Sequence, residues 1–561
     1  MLAQSGLRKN WIHRKFAIGP HPIIQHYLDL LRVEETIGAF MSRDVRQTLS
    51  VEKTLCVLVH NILTSPMPLY EIADWVTPIN EESLGLEPGE ASKIQDDRVG
   101  YALDKFYDGR HKDVFFRLTL RAIKMFRLDC SQIHQDTTTV TFSGQYRGWT
   151  AIELLTYGKN KDHRPDLKQL VLGLSVTADG SVPLLHQIYS GNQTDDRLHP
   201  ENHRQLRKLL SRSDFIYVAD SKLATNDNLE KIILCGGRVI SIMPRTWKED
   251  EIFREKVHKG QVSWSHLLSR KNNRRPDSKM DEYRLADGEY RTSQGYLLLW
   301  IHSSQKAEQD QETRQRHLQK AMESLREIQG KLNRYRLKTA PAIKKAVKNI
   351  LKECQCNDLI AYRIHTHHQY HVKHQKRGRP SLKSIERGKK TWTSFFSLSF
   401  HVDDSALKRE QVTDGVFPLI TNVEGEEYPP RRILEIYKFQ PFLEKRNSQL
   451  KTWQEITPVL LKKSERVVAL LHIHVMALMV ATLIERKLRL AMRKNKIQSL
   501  PIYPEGRLCK FPTVFDVVRL FRGVERFEVE GDGPLQIFPA TLSPIQKQVL
   551  NLLEVPVSLY Q

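Results

Sequence analysis

Apolar positions recur at helical spacing near the start of the chain, at Ile23, Ile24, Tyr27, Leu28 and Leu31. The same spacing predicts helices over Val51–Leu63, with Ser50 as N-cap, over Leu69–Val76 and over Arg98–Phe126. Residues 1–128 therefore read as a helical domain. From Gln132 the period changes. Ile133–Phe142 is rich in β-branched residues, Leu170–Thr177 follows, and Ala178–Asp179–Gly180 turns the chain into Val182–Tyr189. A helix over His199–Leu210, a short buried strand over Phe215–Ala219, a helix over Asn226–Leu234 and a strand over Arg238–Met243 complete an α/β order. That order is the one expected of an RNase H-like core, whose first part spans residues 129–245.

An inserted α+β domain is expected over residues 246–425. It holds strand-like segments between Tyr283 and Ile301. A long helical stretch, Ala307–Cys354, carries the stripe Leu318, Met322, Leu325, Ile328 and Leu332, suited to a helical hairpin. Strands return at Trp392–Val402. The core resumes over residues 426–499 as helices, and residues 500–561 form a C-terminal segment to which the pattern assigns no role. The most apolar run, Val467–Ile484, reads as a buried core helix rather than a membrane span.

Composition sharpens this picture. The 561 residues carry 87 Lys plus Arg against 65 Asp plus Glu, a formal charge of +22, which favours a polyanionic partner. With 40% hydrophobic residues the chain can build sizeable cores. Six cysteines in such a length give no disulfide framework and read as reduced thiols of a cytoplasmic protein. The first residues, MLAQSGLRKNWIHRKF, are charged without an apolar stretch, so no signal peptide and no membrane association are expected. No Walker-type phosphate loop, serine nucleophile elbow or tyrosine-recombinase constellation is evident.

Two aspartates have matched settings. Asp136 lies within a strand, where an acid needs compensation for lost solvation, and Asp220 ends the apolar run Phe215–Ala219. On neighbouring strands they could meet at one divalent cation. Two-metal phosphoryl chemistry requires ions about 3.5–4 Å apart and a third acid. Glu444 supplies one, on a segment where Tyr437, Glu444 and Lys451 recur every seven residues and share a helical face. An ordinary solvated helix face fits the same spacing.

Here the chain resembles the DDE transposases of bacterial insertion sequences, the group marked by a tyrosine–arginine–glutamate–lysine signature. Tyr437, Glu444 and Lys451 match at the family's spacing, and Gln440 stands where the family has arginine. QDTTTVTFSG and YVADSKLAT resemble the two aspartate blocks, LGLSVTADGSVP and SGNQTDD the strands and turn between them, and TDGVFPLITN the segment ahead of the glutamate helix. HPIIQHYLDLL through SPMPLYEIADW resembles the N-terminal domain of one subgroup. The resemblance covers most of residues 20–490.

It implies a metal-dependent, cut-and-paste transposase in which Asp136, Asp220 and Glu444 hold Mg2+, with Mn2+ as a substitute. Lys451, Tyr437 and the position of Gln440 would contact DNA phosphate. Residues 1–128 would recognise transposon ends. The partners implied are double-stranded DNA (transposon ends and target) and a second copy of the chain on that DNA, in the nucleoid of a bacterial cytoplasm. The departure at Gln440 keeps open a catalytically inactive, transposon-derived DNA-binding protein. A nuclease of the same fold without strand transfer is a third reading.

Two further features lie in the inserted segment. Arg377 and Arg379, in QKRGRPSLK, form the core of an AT-hook, a segment that also fits a plain basic linker. Arg363–Lys390 as a whole holds nine Lys or Arg against one Glu. Cys354 and Cys356 precede His365, His367, His368, His371 and His374, but at spacings of no usual zinc site.

Overall fold

The structure is a computed structural model. It describes residues 12–41, 48–142, 154–158, 166–193, 197–271, 280–373, 389–454, 456, 461, 463–530 and 535–561. Arg377 and Arg379 lie outside the described residues, as do parts of the SGNQTDD segment. The chain divides into two compact units, Met1–Ser241 with Arg432–Gln561, and Ile242–Arg431.

The first unit opens with strand β1 (Ile12–Ala17) and helices α1 (His21–Leu31), α2 (Val33–Gly38), α3 (Val51–Thr64), α4 (Ile72–Val76), α5 (Asp96–Asp108) and α6 (His111–Phe126). Ser50 caps α3 by accepting from Lys53 N at 3.2 Å. The single helix expected over Arg98–Phe126 is two. The chain breaks at Gly109–Arg110, where Arg110 takes a left-handed φ of 62°. That break lets α5 and α6 each turn an apolar stripe inward.

The α/β part follows as β2 (Gln132–Phe142), β3 (Thr156–Tyr157), β4 (Lys168–Thr177), β5 (Pro183–Ser190), α7 (His199–Leu210), β6 (Ile216–Val218), α8 (Asn226–Leu234) and β7 (Arg238–Ile242). β4 is flanked by β2 on one edge and by β5 and β3 on the other, all antiparallel. β6 lies parallel to β2, and β7 parallel to β6. The order is therefore β5–β4–β2–β6–β7. β4 is buried along nearly its whole length, which is why its sequence reads as an apolar run rather than an alternation.

The second unit contains α9 (Lys248–His258), the antiparallel strands β8 (Trp264–Lys271), β9 (Met280–Ala286), β10 (Tyr290–Arg291) and β11 (Leu297–Ser303), and the helices α10 (Ser304–Lys331) and α11 (Ala340–Glu353). It continues with β12 (Ile360–Lys373), β13 (Lys389–Val402), α12 (Asp404–Gln411) and β14 (Val416–Thr421). The helical hairpin expected from the apolar stripe is α10 and α11. They pack through Ala321, Leu325, Ile343, Val347 and Leu351. The start of the basic segment is not a linker: residues 363–373 belong to β12, fully paired with β13.

The chain returns to the first unit with α13 (Pro430–Tyr437), α14 (Gln440–Thr452) and α15 (Ser464–Lys494). α16 (Val514–Phe521), β15 (Glu525–Glu530), β16 (Gln536–Phe538) and α17 (Pro544–Leu553) follow. β15 pairs with β1, so the C-terminal segment closes onto the N-terminal helices. The apolar run of α15 is entirely buried, packed among α1, α3, α5, α6 and β5. Burial of that stretch stabilises the packing of the N-terminal helices, at about 25 cal/mol per Å2 of apolar surface removed from water.

Candidate active site

The parallel pairing of β2 with β6 runs from Gln132↔Ile216 to His134↔Val218. Two residues further along each chain stand Asp136 and Asp220. The two acids thus occupy the same level on neighbouring parallel strands, at the carboxyl end of β6. Asp136 is still within β2, opposite Leu174 of β4, and is partly buried. Asp220 has left the ladder. Its carboxylate accepts from Lys222 N at 3.1 Å and its carbonyl accepts from Ser241 Oγ at 2.7 Å, which fixes the turn.

α14 lies across β2 and is fastened there by two amides. Asn447 Nδ2 donates to Asp136 Oδ2 at 2.9 Å. Gln440 Nε2 donates to the carbonyl of Gln135 at 3.1 Å, and its Oε1 meets His134 Nδ1 at 3.2 Å. Gln440, Glu444, Asn447 and Lys451 follow one another at intervals of four, three and four, so they form one stripe of the helix. Glu444 sits on that stripe between the two amides that touch β2, and it is exposed.

Behind α14, the buried Arg446 pairs with Glu485 of α15 at 2.7 Å and donates to the carbonyl of Gly180 at 3.1 Å. Gly180 takes a φ of 86°, and a Cβ there would sit 2.9 Å from the side chain of Arg486. The tight turn between β4 and β5 therefore forms part of the seat of α14.

Tyr437 is not on the Glu444 helix. α13 ends at Tyr437, and a new helix starts at Gln440 with Pro441 in its first turn, where the missing N–H costs nothing. The shared helical face expected from the seven-residue spacing holds for Glu444 and Lys451 but not for Tyr437. The acids nonetheless act on its phenol. Its pKa is raised first by burial and then by the negative charges of Asp220, Glu444 and Asp136. The three carboxylates are thus all within electrostatic range of one hydroxyl.

Gln440 has a different role from the arginine expected at its position. It is 7% exposed, and both amide atoms are engaged with β2. Its side chain positions the helix and is not presented to a phosphate. Burial pulls the pKa of His134 down to about 4, so at neutral pH it is an uncharged partner for that amide. Asn447 was not singled out by sequence. The available signal was its place on the Glu444–Lys451 stripe.

Among the described residues, no group of three or more His, Cys, Asp or Glu side chains is spaced to hold a metal ion. The donor chemistry does suit a hard cation: carboxylates at Asp136, Asp220 and Glu444, and a buried amide oxygen, Asn447 Oδ1, without a hydrogen-bond partner. The cysteine and histidine run fits zinc poorly. Cys354 and Cys356 are buried in the α10–α11 core, and burial raises the Cys356 thiol to about 11. His365 and His367 bond to Ser399 and Ser397.

Residues 16–120 match a family model described as a domain of unknown function, DUF4277. No curated protein matches the chain. Among solved structures the chain is similar to a piggyBac transposase, in a synaptic complex with hairpin DNA. The identity is 10% and the TM-score 0.27, over 82% of this chain and 81% of that one. A likeness that distant transfers neither fold nor activity.

Proposed function

We propose that the chain is a DNA transposase of the DDE type, with an RNase H-like core that cuts and rejoins DNA by phosphoryl transfer at Asp136, Asp220 and Glu444. The observation that carries this reading is the Asn447–Asp136 hydrogen bond. It ties the helix of the third acid to the strand of the first, whose parallel neighbour leads to the second. The strand order β5–β4–β2–β6–β7, with three antiparallel strands and two parallel ones, supports the RNase H-like assignment. The charge of +22 supports a DNA partner.

Asp136, Asp220 and Glu444 would hold Mg2+, or Mn2+ in its place, which when bound lowers the pKa of an attacking water and stabilises the leaving oxygen. The protein's own contribution is positioning. Asn447 orients the Asp136 carboxylate by donating to one oxygen. Gln440 sets the height of α14 over β2. Lys451, near the end of that helix, supplies a cation for DNA phosphate, and the Tyr437 hydroxyl, kept protonated by burial and then by the surrounding acids, donates a hydrogen bond. Transposon ends and target DNA would be the substrates, and a second copy of the chain would hold the other end.

Incubating the full chain and Mg2+ with duplexes carrying the DNA that flanks its gene tests this. Strand cleavage by the wild type, lost to background in Asp136→Ala, Asp220→Ala and Glu444→Ala with DNA binding retained, supports the proposal. A gel shift without cleavage by the wild type supports the alternative of an inactive DNA-binding protein, which the inward-facing Gln440 favours. Cleavage without joining of a pre-cut 3′ end indicates a nuclease.

A further inference from the structure

β12 and β13 form a two-stranded antiparallel ribbon in register from Ile360↔Val402 to Lys373↔Lys389. Its base is packed. Ile360, Tyr362 and Ile364 of one strand and Phe396, Leu398 and Phe400 of the other lie against the α10–α11 hairpin. Asn333, just beyond α10, clamps the strand by bonding both backbone polar groups of Phe396 at 2.8 and 2.9 Å. Beyond that clamp the packing stops. Thr366 to Tyr370 and Thr391 to Ser394 are all exposed. At about 3.4 Å per residue the remaining ribbon extends roughly 20 Å. Tyr370 and Trp392 meet edge to face there, yet remain 55% and 67% exposed.

Alternation along the strands assigns the two faces. At the base, the even-numbered residues Ile360, Tyr362 and Ile364, with Phe396, Leu398 and Phe400 of the paired strand, contact the helices, and further out the same face carries Tyr370 and Trp392. The odd-numbered face carries Arg363, His365, His367 and Gln369, beside Ser397 and Ser399. The bonds His365–Ser399 at 2.9 Å and His367–Ser397 at 2.8 Å show that these side chains lie together. This face is largely polar, interrupted by Phe395 opposite His367, and the strand residues 363–373 and 389–399 include no Asp or Glu. A bare two-stranded ribbon of this length is marginal in water. Its exposed aromatic pair, its polar face and its lack of acidic residues suit a polyanionic partner.

We infer that the β12–β13 ribbon is a DNA-reading element that enters the major groove of duplex DNA with its Arg363–Gln369 face toward the base edges. The major groove is wide enough for a two-stranded ribbon. Arginine and glutamine are the side chains that pair with the exposed edges of guanine and adenine. This inference rests on DNA being the partner of the proposed transposase, but not on the carboxylates.

The test uses the full chain, gene-flanking and mixed-sequence duplexes, and chemical probing of guanine N7 (major groove) and adenine N3 (minor groove). The wild type is expected to protect guanine N7. The triple variant Arg363→Ala, His367→Ala, Gln369→Ala is expected to lose that protection and about tenfold or more in affinity. Gln369→Glu, which changes one exposed side chain, is expected to lower affinity in the same direction. Unchanged affinity and N7 protection in these variants overturns the inference, as does protection confined to adenine N3 or a preference for single strands. Normal N7 protection by a wild type that never cleaves would sink the enzymatic reading and leave the ribbon's role standing.

Discussion

Asn447 of α14 donates a hydrogen bond of 2.9 Å to Asp136 of β2, across 311 positions of sequence. A neutral amide that bonds one oxygen of an acid fixes the carboxylate's plane without adding charge. Asn447→Ala is expected to lower strand cleavage by about tenfold or more while leaving DNA affinity near wild type. The lost bond to a charged group corresponds to about 1.5–3 kcal/mol. Cleavage kinetics beside an equilibrium binding curve check this. Wild-type cleavage by the variant would remove Asn447 from any positioning role.

Gln440→Arg restores the residue that the resembled family carries. In this fold the position is buried and already bonded to His134 and Gln135. A larger guanidinium there would displace two buried hydrogen bonds. The variant is expected to lose about 1–3 kcal/mol of stability, read by denaturant unfolding, without gaining cleavage. A more active, equally stable variant would show that the helix can reposition to present this residue to DNA.

These two residues mark the limit of what the sequence discloses. The strands, the acids Asp136 and Asp220, the cap at Ser50 and the core character of α15 are written in period and residue type. The role of Asn447 is not, because an asparagine that bonds a distant strand and one that faces water read alike in a helix. Pro441 allowed either a kinked helix or a new one, and only the packing of α13 decides for a new one at Gln440. The outer part of the β12–β13 ribbon was hidden for a related reason. A strand with neither face buried shows no apolar alternation, and its histidines draw the eye to metal binding instead.

A chain of buried histidines makes stability depend on pH. His186 Nε2 meets His472 Nδ1 at 2.5 Å, and the His111 ring lies 4.4 Å from that of His472. Burial pulls His186 down to about 3; it lowers His472 with help from His186, His111 and Lys112, and His111 with help from Lys112. These groups stay neutral in the folded state while the unfolded chain takes up protons below about 6.5. Stability is therefore full above that pH and falls as the pH drops toward the folded values, by about 1.4 kcal/mol per unit for each such group. Denaturant unfolding at pH 7.5 and 5.5 should show this loss, and His472→Gln should reduce its slope. Equal pH slopes in variant and wild type would place the acid sensitivity elsewhere.

Sharing of divalent ions by Asp136, Asp220 and Glu444 can be measured without turnover. Electron paramagnetic resonance of Mn2+, titrated into the full chain with a gene-flanking duplex, counts bound ions. The wild type is expected to bind Mn2+ at the site, and Asp136→Ala, Asp220→Ala and Glu444→Ala each to lose or strongly weaken that binding while still holding DNA. Mn2+ binding in all three variants indistinguishable from wild type would contradict a common metal site at these three acids.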